Sequence, residues 1–436
     1  MENIFNHGRE ALAFKKNLAA KIQKHHQEIY DWYGKIAQVA PPPFYCSIDL
    51  RDSGYKIVPV DSNLYPAGFN NICSDDIRAA PAVIREKING MLKDLPAGTK
   101  KVLILPESHT TNTHYIENLW YLSQICQSAG FDVQIGWVLP GTEQIHLKSF
   151  TEKELVATPI QINNGILSAG DFTPDLIILN NDFSAGYPTA LDEVKQPIVP
   201  SHRLGWHSRK KTEHFRHYNR LAGEFAEITG IDPWSIQIET REVADVNFNE
   251  DHGIEQVAVQ VDEVIKKTQA AYDQHGIKTP PFVFVKNNSG TYGMGIMVVH
   301  SADELRTMNR RTKNKMSVGK NKKSIDSVAV QEGVPTATLV DRLAAEPVIY
   351  LVGCELIGGF LRTNTERGIE ENLNSQGMVF KKLCMSDLRS PTDIAPEDSE
   401  EGAEHDEEPL LELVYGSIAR ISALATGLEL AEHLKR

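Results

Sequence analysis

Residues 47–72, SIDLRDSGYKIVPVDSNLYPAGFNNI, constrain the fold more than any other stretch of the chain. Two strand-like runs flank Ser53-Gly54, a pattern that predicts a β-hairpin. Side chains alternate between faces along a strand, so Asp49 shares a face with Arg51, and Asp61 with Asn63. Burying unpaired charge is costly. A hairpin lined with carboxylates, an amide and a guanidinium therefore points to ligand chemistry rather than to an apolar core. A turn of small residues, Pro66-Ala67-Gly68-Phe69, follows directly.

A second signal lies in FVFVKNNSGTYGMGIMVV, Phe282 to Val299. A strand ends in Lys286, a loop carries Ser289, Gly290, Gly293 and Gly295, and another strand follows. The loop leads into a strand, not a helix, and GxxxxGK[ST] is absent, so it is neither a Walker A loop nor a dinucleotide fingerprint. Glycines let backbone N–H groups approach phosphate closely, and a strand lysine can reach phosphates as a point charge. Next comes VAVQEGVP, Val328 to Pro335, a strand ending in Gln331-Glu332 in the form of a hinge. Its backbone could pair with adenine and the Glu332 carboxylate with a ribose. In EPVIYLVGCELIGGFLRTN, Glu346 to Asn364, Arg362 and Asn364 share a strand face, and Asn372-Leu373-Asn374 opens a polar turn.

Elsewhere the pattern is that of an α/β protein. A helix is expected over 8–34, ended by Pro41-Pro42-Pro43. Strands at 101–105, 131–138, 175–179 and 198–199, with a helix over 114–128, predict a mostly parallel sheet. The turn Asn180-Asn181-Asp182-Phe183 follows a strand's carboxyl end, where open α/β sheets keep ligands. Helices are expected over 208–229, 254–273 and 410–424, and strands over 282–286, 295–299, 327–331 and 348–352. The division expected is 1–100 (helix and hairpin, part of an antiparallel core), 101–200 (parallel-sheet substrate domain) and 201–436 (nucleotide-binding domain). A basic run over 309–324 and an acidic run over 396–409 read as mobile loops. The chain has 436 residues and a formal net charge of -13, which disfavours a general affinity for nucleic acid or anionic membranes. No apolar run approaches the ~18 residues of a membrane span, and no signal peptide is visible, so a cytoplasmic protein is expected. Five cysteines without CxxC spacing suggest reduced thiols rather than a disulfide framework or a zinc site.

The order lysine strand, glycine loop, hinge, arginine strand, Asn turn resembles the ATP-grasp ligases, and in particular eukaryotic-type glutathione synthetase. In that family the last strand-and-turn section is circularly permuted to the front of the chain. Over nearly its whole length the chain looks closest to the proteobacterial glutamate–cysteine ligase family, on the strength of VDSNLYPAGFNN. The resemblance implies an ATP-grasp-like fold, with a parallel-sheet substrate domain and an antiparallel-sheet ATP-grasp domain. It also implies Mg²⁺ held by Asp49, Asp61 and Asn63, and ATP held by Lys286, Ser289, Gly290, Gly293, Gly295, Gln331, Glu332 and Asn364. Substrate contacts are implied for Arg51, Ser62, Ala67, Gly68, Asn112 (in NTHYIENL), Asn181, Arg362 and Asn372. Departures are visible too. Asn287-Asn288-Ser289 stands where the relatives carry a metal-binding glutamate. Asn364 stands where a lysine follows the substrate arginine, and Asp61 where glutamate is usual. An earlier ATP-contacting lysine is sought among Arg203, Lys210 and Lys211.

Such a site would activate a carboxylate with ATP, giving an acyl phosphate for the amine to attack, with Lys286 and Arg362 as the charge-neutralising catalytic pair. Mg²⁺ favours hard oxygen ligands, which Asp61 and Asn63 supply from one strand face. The leading expectation is ATP- and Mg-dependent γ-glutamylcysteine synthesis from glutamate and cysteine. The alternatives are glutathione synthesis from γ-glutamylcysteine and glycine, and a non-catalytic nucleotide-binding regulator. Helix 8–34 is a candidate surface for a homo-oligomer.

Overall fold

The computed structural model describes residues 9–107, 112–138, 141, 143–184, 186–289, 295–317, 325–383 and 411–435. Gly290, Gly293, the acidic run and the second half of the basic run lie outside these. Three sheets organise the described residues. The expected hairpin forms from Tyr45–Asp52 and Ile57–Asn63. On its other edge Tyr45–Asp52 pairs antiparallel with Leu343–Val352, which pairs with Glu355–Asn364 and that in turn with Met378–Leu383. The hairpin from the front of the chain thus completes an antiparallel sheet made otherwise by its last third.

Alternation gives this sheet two unlike faces. Cys46, Ile48, Leu50, Ala345, Ile349, Leu351 and Leu361 join one apolar cluster with the N-terminal helices, helix Lys211–Thr229 and the terminal helix Leu411–His433. The opposite face carries Tyr45, Val348, Tyr350 and Phe360, in one apolar cluster with helices Ala80–Met91 and Thr113–Ser128. Farther along that second face stand Asp49, Arg51, Glu346 and Arg362, all buried.

A four-stranded antiparallel sheet runs in the order Thr240–Ala244, Ser327–Glu332, Val283–Asn287, Ile296–Val299. Helix Ile254–His275 covers it through Val257, Val261 and Val264. The seven-stranded sheet has a parallel centre of Lys101–Pro106, Asp132–Trp137, Leu176–Asn180, Ile198–Val199 and the first half of Glu154–Asn163. Ile145–Lys148 and Ile166–Ala169 flank it antiparallel. The α/β, ATP-grasp-like class read from the sequence, a parallel-sheet region joined to antiparallel sheets, is the class observed.

Several boundaries differ from expectation. The single N-terminal helix is two, Arg9–Lys24 and His26–Val39, broken at His25. The terminal helix extends nine residues past the expected end, to His433, and buries Thr426 and Glu429. The first half of the basic run is not a loop. Arg310–Ser317 is helical, because Met316 is fully buried beside Phe248 and Lys313 pairs with Asp251. Cys46, Cys126 and Cys354 are free thiols as expected, but Cys73 is disulfide-bonded, against the reading of uniformly reduced cysteines. Among the described residues, no helix is long and apolar enough to cross a membrane.

Candidate active site

The hairpin is not regular. Pairing steps from Asp49↔Asp61 to Leu50↔Pro59, leaving Val60 as the extra residue of a β-bulge. A bulged residue falls out of the ladder and re-aims the groups around it. Here the Val60 carbonyl accepts a hydrogen bond from Lys286 Nζ at 3.3 Å. The front hairpin and the lysine strand, 226 residues apart, are therefore in direct contact. Lys286 Nζ also donates to Gln331 Oε1 at 2.6 Å.

Charges alternate along the cleft where the two sheets meet. Lys211 Nζ lies 2.6 Å from Asp61 Oδ1. Asp49 stands opposite Asp61 across the hairpin. Its Oδ2 takes a 2.6 Å ion pair from Arg362. Arg362 also meets Glu346 Oε1 at 2.9 Å, and Glu346 Oε2 meets Arg51 Nε at 3.0 Å. Two of these groups have orphaned buried atoms: Asp49 Oδ1 and Arg362 Nε have no hydrogen-bond partner. Buried polar groups are nearly always satisfied, so such a pair marks a place prepared for something else.

Local fields set the protonation states. Burial pushes the Lys286 ammonium down to about 7, helped by the positive charge of Lys211. Burial would raise the Asp61 carboxyl, but Lys211, Lys286 and Arg209 outweigh it and hold it below the usual range. Burial dominates at Asp49 and raises its carboxyl despite Arg362. For Arg362, burial is outweighed by Asp49 and Glu346, which raise it further.

Among the described residues, no group of three or more His, Cys, Asp or Glu is arranged to hold a metal ion. Mg²⁺ does not require one, since it is commonly bound by one or two carboxylates plus substrate phosphates. The orphaned Asp49 Oδ1, opposite the part-exposed Asp61, fits that mode, with Asn63 two residues on along the same strand.

Other sequence-derived candidates are engaged elsewhere. Arg51 donates to Glu346, to the carbonyls of Val334 and Ile369, and to that of Glu371, so each guanidinium nitrogen has a protein partner. Glu332 is locked by Lys56 at 2.6 Å and accepts from the Glu239 N–H. Its strand is paired on both edges, so neither neighbour offers the open backbone of a hinge. Asn364 is fully buried and organises the 366–376 turn through Leu373, Gln376 and Glu366. Asn372 closes its own Asx turn on Asn374. Asn112 caps helix Thr113–Ser128, and Asn181 bonds Pro106 and Phe183. Ser62 meets Thr426 and Arg209 rather than the cleft. Ser289 donates its N–H to Asn287, and Gly295 sits at φ +63°, where a Cβ would strike Ile325.

The turn at Ala67-Gly68 is built by buried amides. Asn118 Oδ1 accepts the N–H groups of Gly68 and Phe69, Asn180 Nδ2 donates to the Pro66 carbonyl, and Tyr350 donates to that of Ala67. The amide that reaches this turn is thus Asn180, not Asn181. Ala67 itself is exposed, while Gly68 adopts φ +126° against Tyr350 and Phe360, a conformation only glycine takes freely.

Sequence reasoning gave Glu346 no role, although it faces Arg362 directly across their strands. The two lie nearly equidistant from the Gly353-Cys354 turn, a spacing that hairpin pairing makes readable. Of the three basic candidates near 203–211, Lys211 reaches the cleft. Arg203 pairs with Asp192 and Lys210 with Glu242, both at the surface.

A fold in which an antiparallel sheet completed by a displaced hairpin faces a lysine strand, across a cleft of paired charges, defines a class of ligase. The chain belongs to the glutamate–cysteine ligase family (GshA), which matches residues 19–430. It is similar to a protein of Methylobacillus flagellatus KT provisionally named a gamma-glutamylcysteine synthetase. That structure is 33% identical with a TM-score of 0.85, over 98% of this chain and 99% of that one. A glutathione synthetase-like effector of Globodera pallida (11% identity, TM-score 0.38, 86% and 85% coverage) is too distant to carry an argument. No functionally curated protein matches the chain. The protein is an enzyme, a glutamate–cysteine ligase that forms γ-glutamylcysteine, and a ligase of this type uses ATP.

Proposed function

We propose that the cleft between the hairpin and the lysine strand is where Mg-ATP phosphorylates the γ-carboxylate of glutamate, so that the amine of cysteine can displace phosphate. The contact of Lys286 with the bulged Val60 carbonyl carries this reading, because it brings two cations and two carboxylates from distant parts of the chain into one cleft. Asp49, Asp61 and Asn63 would hold Mg²⁺, which when bound offsets phosphate charge during transfer. Lys286 and Lys211 neutralise the transferring group. Arg362, aligned by Asp49 and Glu346, presents its unpartnered Nε to the acyl phosphate or a substrate carboxylate. Ala67 and Gly68 offer a substrate-binding turn. Arg51, Glu332, Asn364 and Asn372 are assigned to scaffolding, since their polar atoms are already used. Three units, 1–100, 101–200 and 201–436, share this work.

The test is phosphate release from Mg-ATP by the purified protein with glutamate and cysteine. Release with that pair alone supports the reading. Release that instead needs γ-glutamylcysteine and glycine overturns it in favour of glutathione synthesis.

A further inference from the structure

Trp206 is an indole that the ligase reading does not use. It is 4% exposed and sits five residues before Lys211. Two cations lie over it. The Lys211 ammonium is 4.2 Å from the ring centroid and the Arg209 guanidinium 5.0 Å. Like charges gathered on one ring repel each other, so the arrangement needs counter-charges. Arg209 has a buried bidentate one: Nε and Nη2 meet Glu429 at 2.7 and 3.0 Å. Its Nη1 also donates to the Ser62 carbonyl, one residue beyond Asp61. Among the described residues Lys211 pairs with Asp61 alone, the carboxylate assigned above to the metal.

That difference has a consequence. A metal ion recruiting Asp61 would deprive Lys211 of its counter-ion, and a free ammonium on a four-carbon stem would swing toward whatever anion is nearest. An aromatic face holds an ammonium without competing for the metal, because its attraction comes from the ring quadrupole and not from a ligand oxygen. The Trp206 backbone N–H donates to the Asp182 carbonyl at 3.0 Å, and the Lys211 backbone N–H to the Asn288 carbonyl at 2.8 Å. The backbones that carry the ring and the lysine are therefore anchored separately, one to the segment just after strand Leu176–Asn180 and one to the residue two past Lys286.

We propose that Trp206 is a positioning residue that keeps Lys211 directed at the nucleotide phosphates when Asp61 turns to the metal. This rests on the reading of Lys211 as a phosphate-neutralising lysine. The ring touches no reacting atom, so its effect appears in nucleotide binding and only through Lys211.

The experiment is a double-mutant cycle in the intact enzyme, reading the Kd for Mg-ATP by calorimetry beside KM for ATP and kcat in phosphate release with glutamate and cysteine, for Trp206→Leu, Lys211→Met and both together. Trp206→Leu raises the Kd and the KM for ATP by about 3- to 30-fold, the range of a desolvated cation–π contact, with kcat and the amino-acid KM values within about threefold. Trp206→Phe recovers most of the loss. In the Lys211→Met background the Trp206 substitution has no further effect. If the two losses instead multiply independently, or if Trp206→Phe is as impaired as Trp206→Leu, the ring is merely structural and the proposal is overturned. Should Trp206→Leu fail to fold, the cycle with Trp206→Met, which keeps bulk without a ring, decides by the same criterion. If Lys211→Met alone leaves the KM for ATP unchanged, the phosphate role of Lys211 fails, and the proposal with it.

Discussion

The two ends of the charged cleft are built on opposite principles. At the Arg362 end every group is at least nine-tenths buried, and Asp49, Glu346, Arg51 and Arg362 form one continuous ion-pair chain. At the Lys286 end one carboxylate, Asp61, with its side chain 26% exposed, faces two lysines, and burial, helped by repulsion from Lys211, lowers the affinity of Lys286 for its proton. The first end has its geometry fixed by ion pairs before any ligand arrives, with Asp49 Oδ1 and Arg362 Nε left for a ligand. The second carries surplus positive charge that phosphates would relieve. Rigid geometry is what an acyl-phosphate clamp needs, and unsatisfied charge is what a nucleotide site needs.

The sharpest way to break this contrast is at the Arg362 end. Arg362→Leu strands Asp49 and Glu346 as buried carboxylates without their main partner. It should cost about 3–5 kcal/mol of stability by chemical denaturation and abolish ligation. A stable, active variant would show that the chain of ion pairs is ornamental. At the other end, Asp61→Asn should lower kcat for phosphate release by roughly 10²- to 10³-fold while the denaturation midpoint barely moves. If both substitutions destabilise equally, the two ends do not differ.

Lys286→Met sharpens the comparison through pH. The folded-state value near 7 lies below the unfolded one, so between about pH 7 and 10.5 the unfolded chain binds more protons at this site and stability rises with pH. The substitution should therefore stabilise the ligand-free protein near pH 7, by about 1–4 kcal/mol. That gain should fade by pH 10, as urea titrations at the two pH values would show. Nucleotide phosphates favour the ammonium, so ATP binding at pH 8 should take up a proton in calorimetry with buffers of different ionisation heat. The smallest effect is expected behind the cleft. Replacing Lys56 and Glu332 together by Met and Gln should leave the KM for ATP within about threefold, because Glu332 is spent on Lys56. A large rise would restore Glu332 as a ribose ligand.

The residues legible in the sequence were those whose signal is local. Period-two spacing exposed Asp49, Asp61 and Asn63, and glycine punctuation exposed the Lys286 strand, and with them the α/β class. What stayed hidden depends on pairing between distant segments. Arg51 looks like a ligand from its strand position, yet the carbonyls of 334, 369 and 371 consume it. Asn364 reads as a cleft residue but spends its amide on its own turn. Strands 145–148, 154–163 and 166–169 escaped notice because they are only partly buried, the outer two are four residues each, and 154–163 takes both parallel and antiparallel partners. The terminal helix outran its expected end because polar Thr426 and Glu429 are buried there as partners for Ser62 and Arg209.

The central claim is that the front hairpin and the Lys286 strand form one nucleotide and metal site. A crystal structure of the protein with Mg²⁺ and a non-hydrolysable ATP analogue tests it most directly. The account predicts a Mg²⁺ ion about 2.1 Å from oxygens of Asp61 or Asp49, with the terminal phosphates between it and the ammonium groups of Lys286 and Lys211. A nucleotide whose phosphates lie away from the hairpin, with Asp61 still paired only to Lys211, would contradict it.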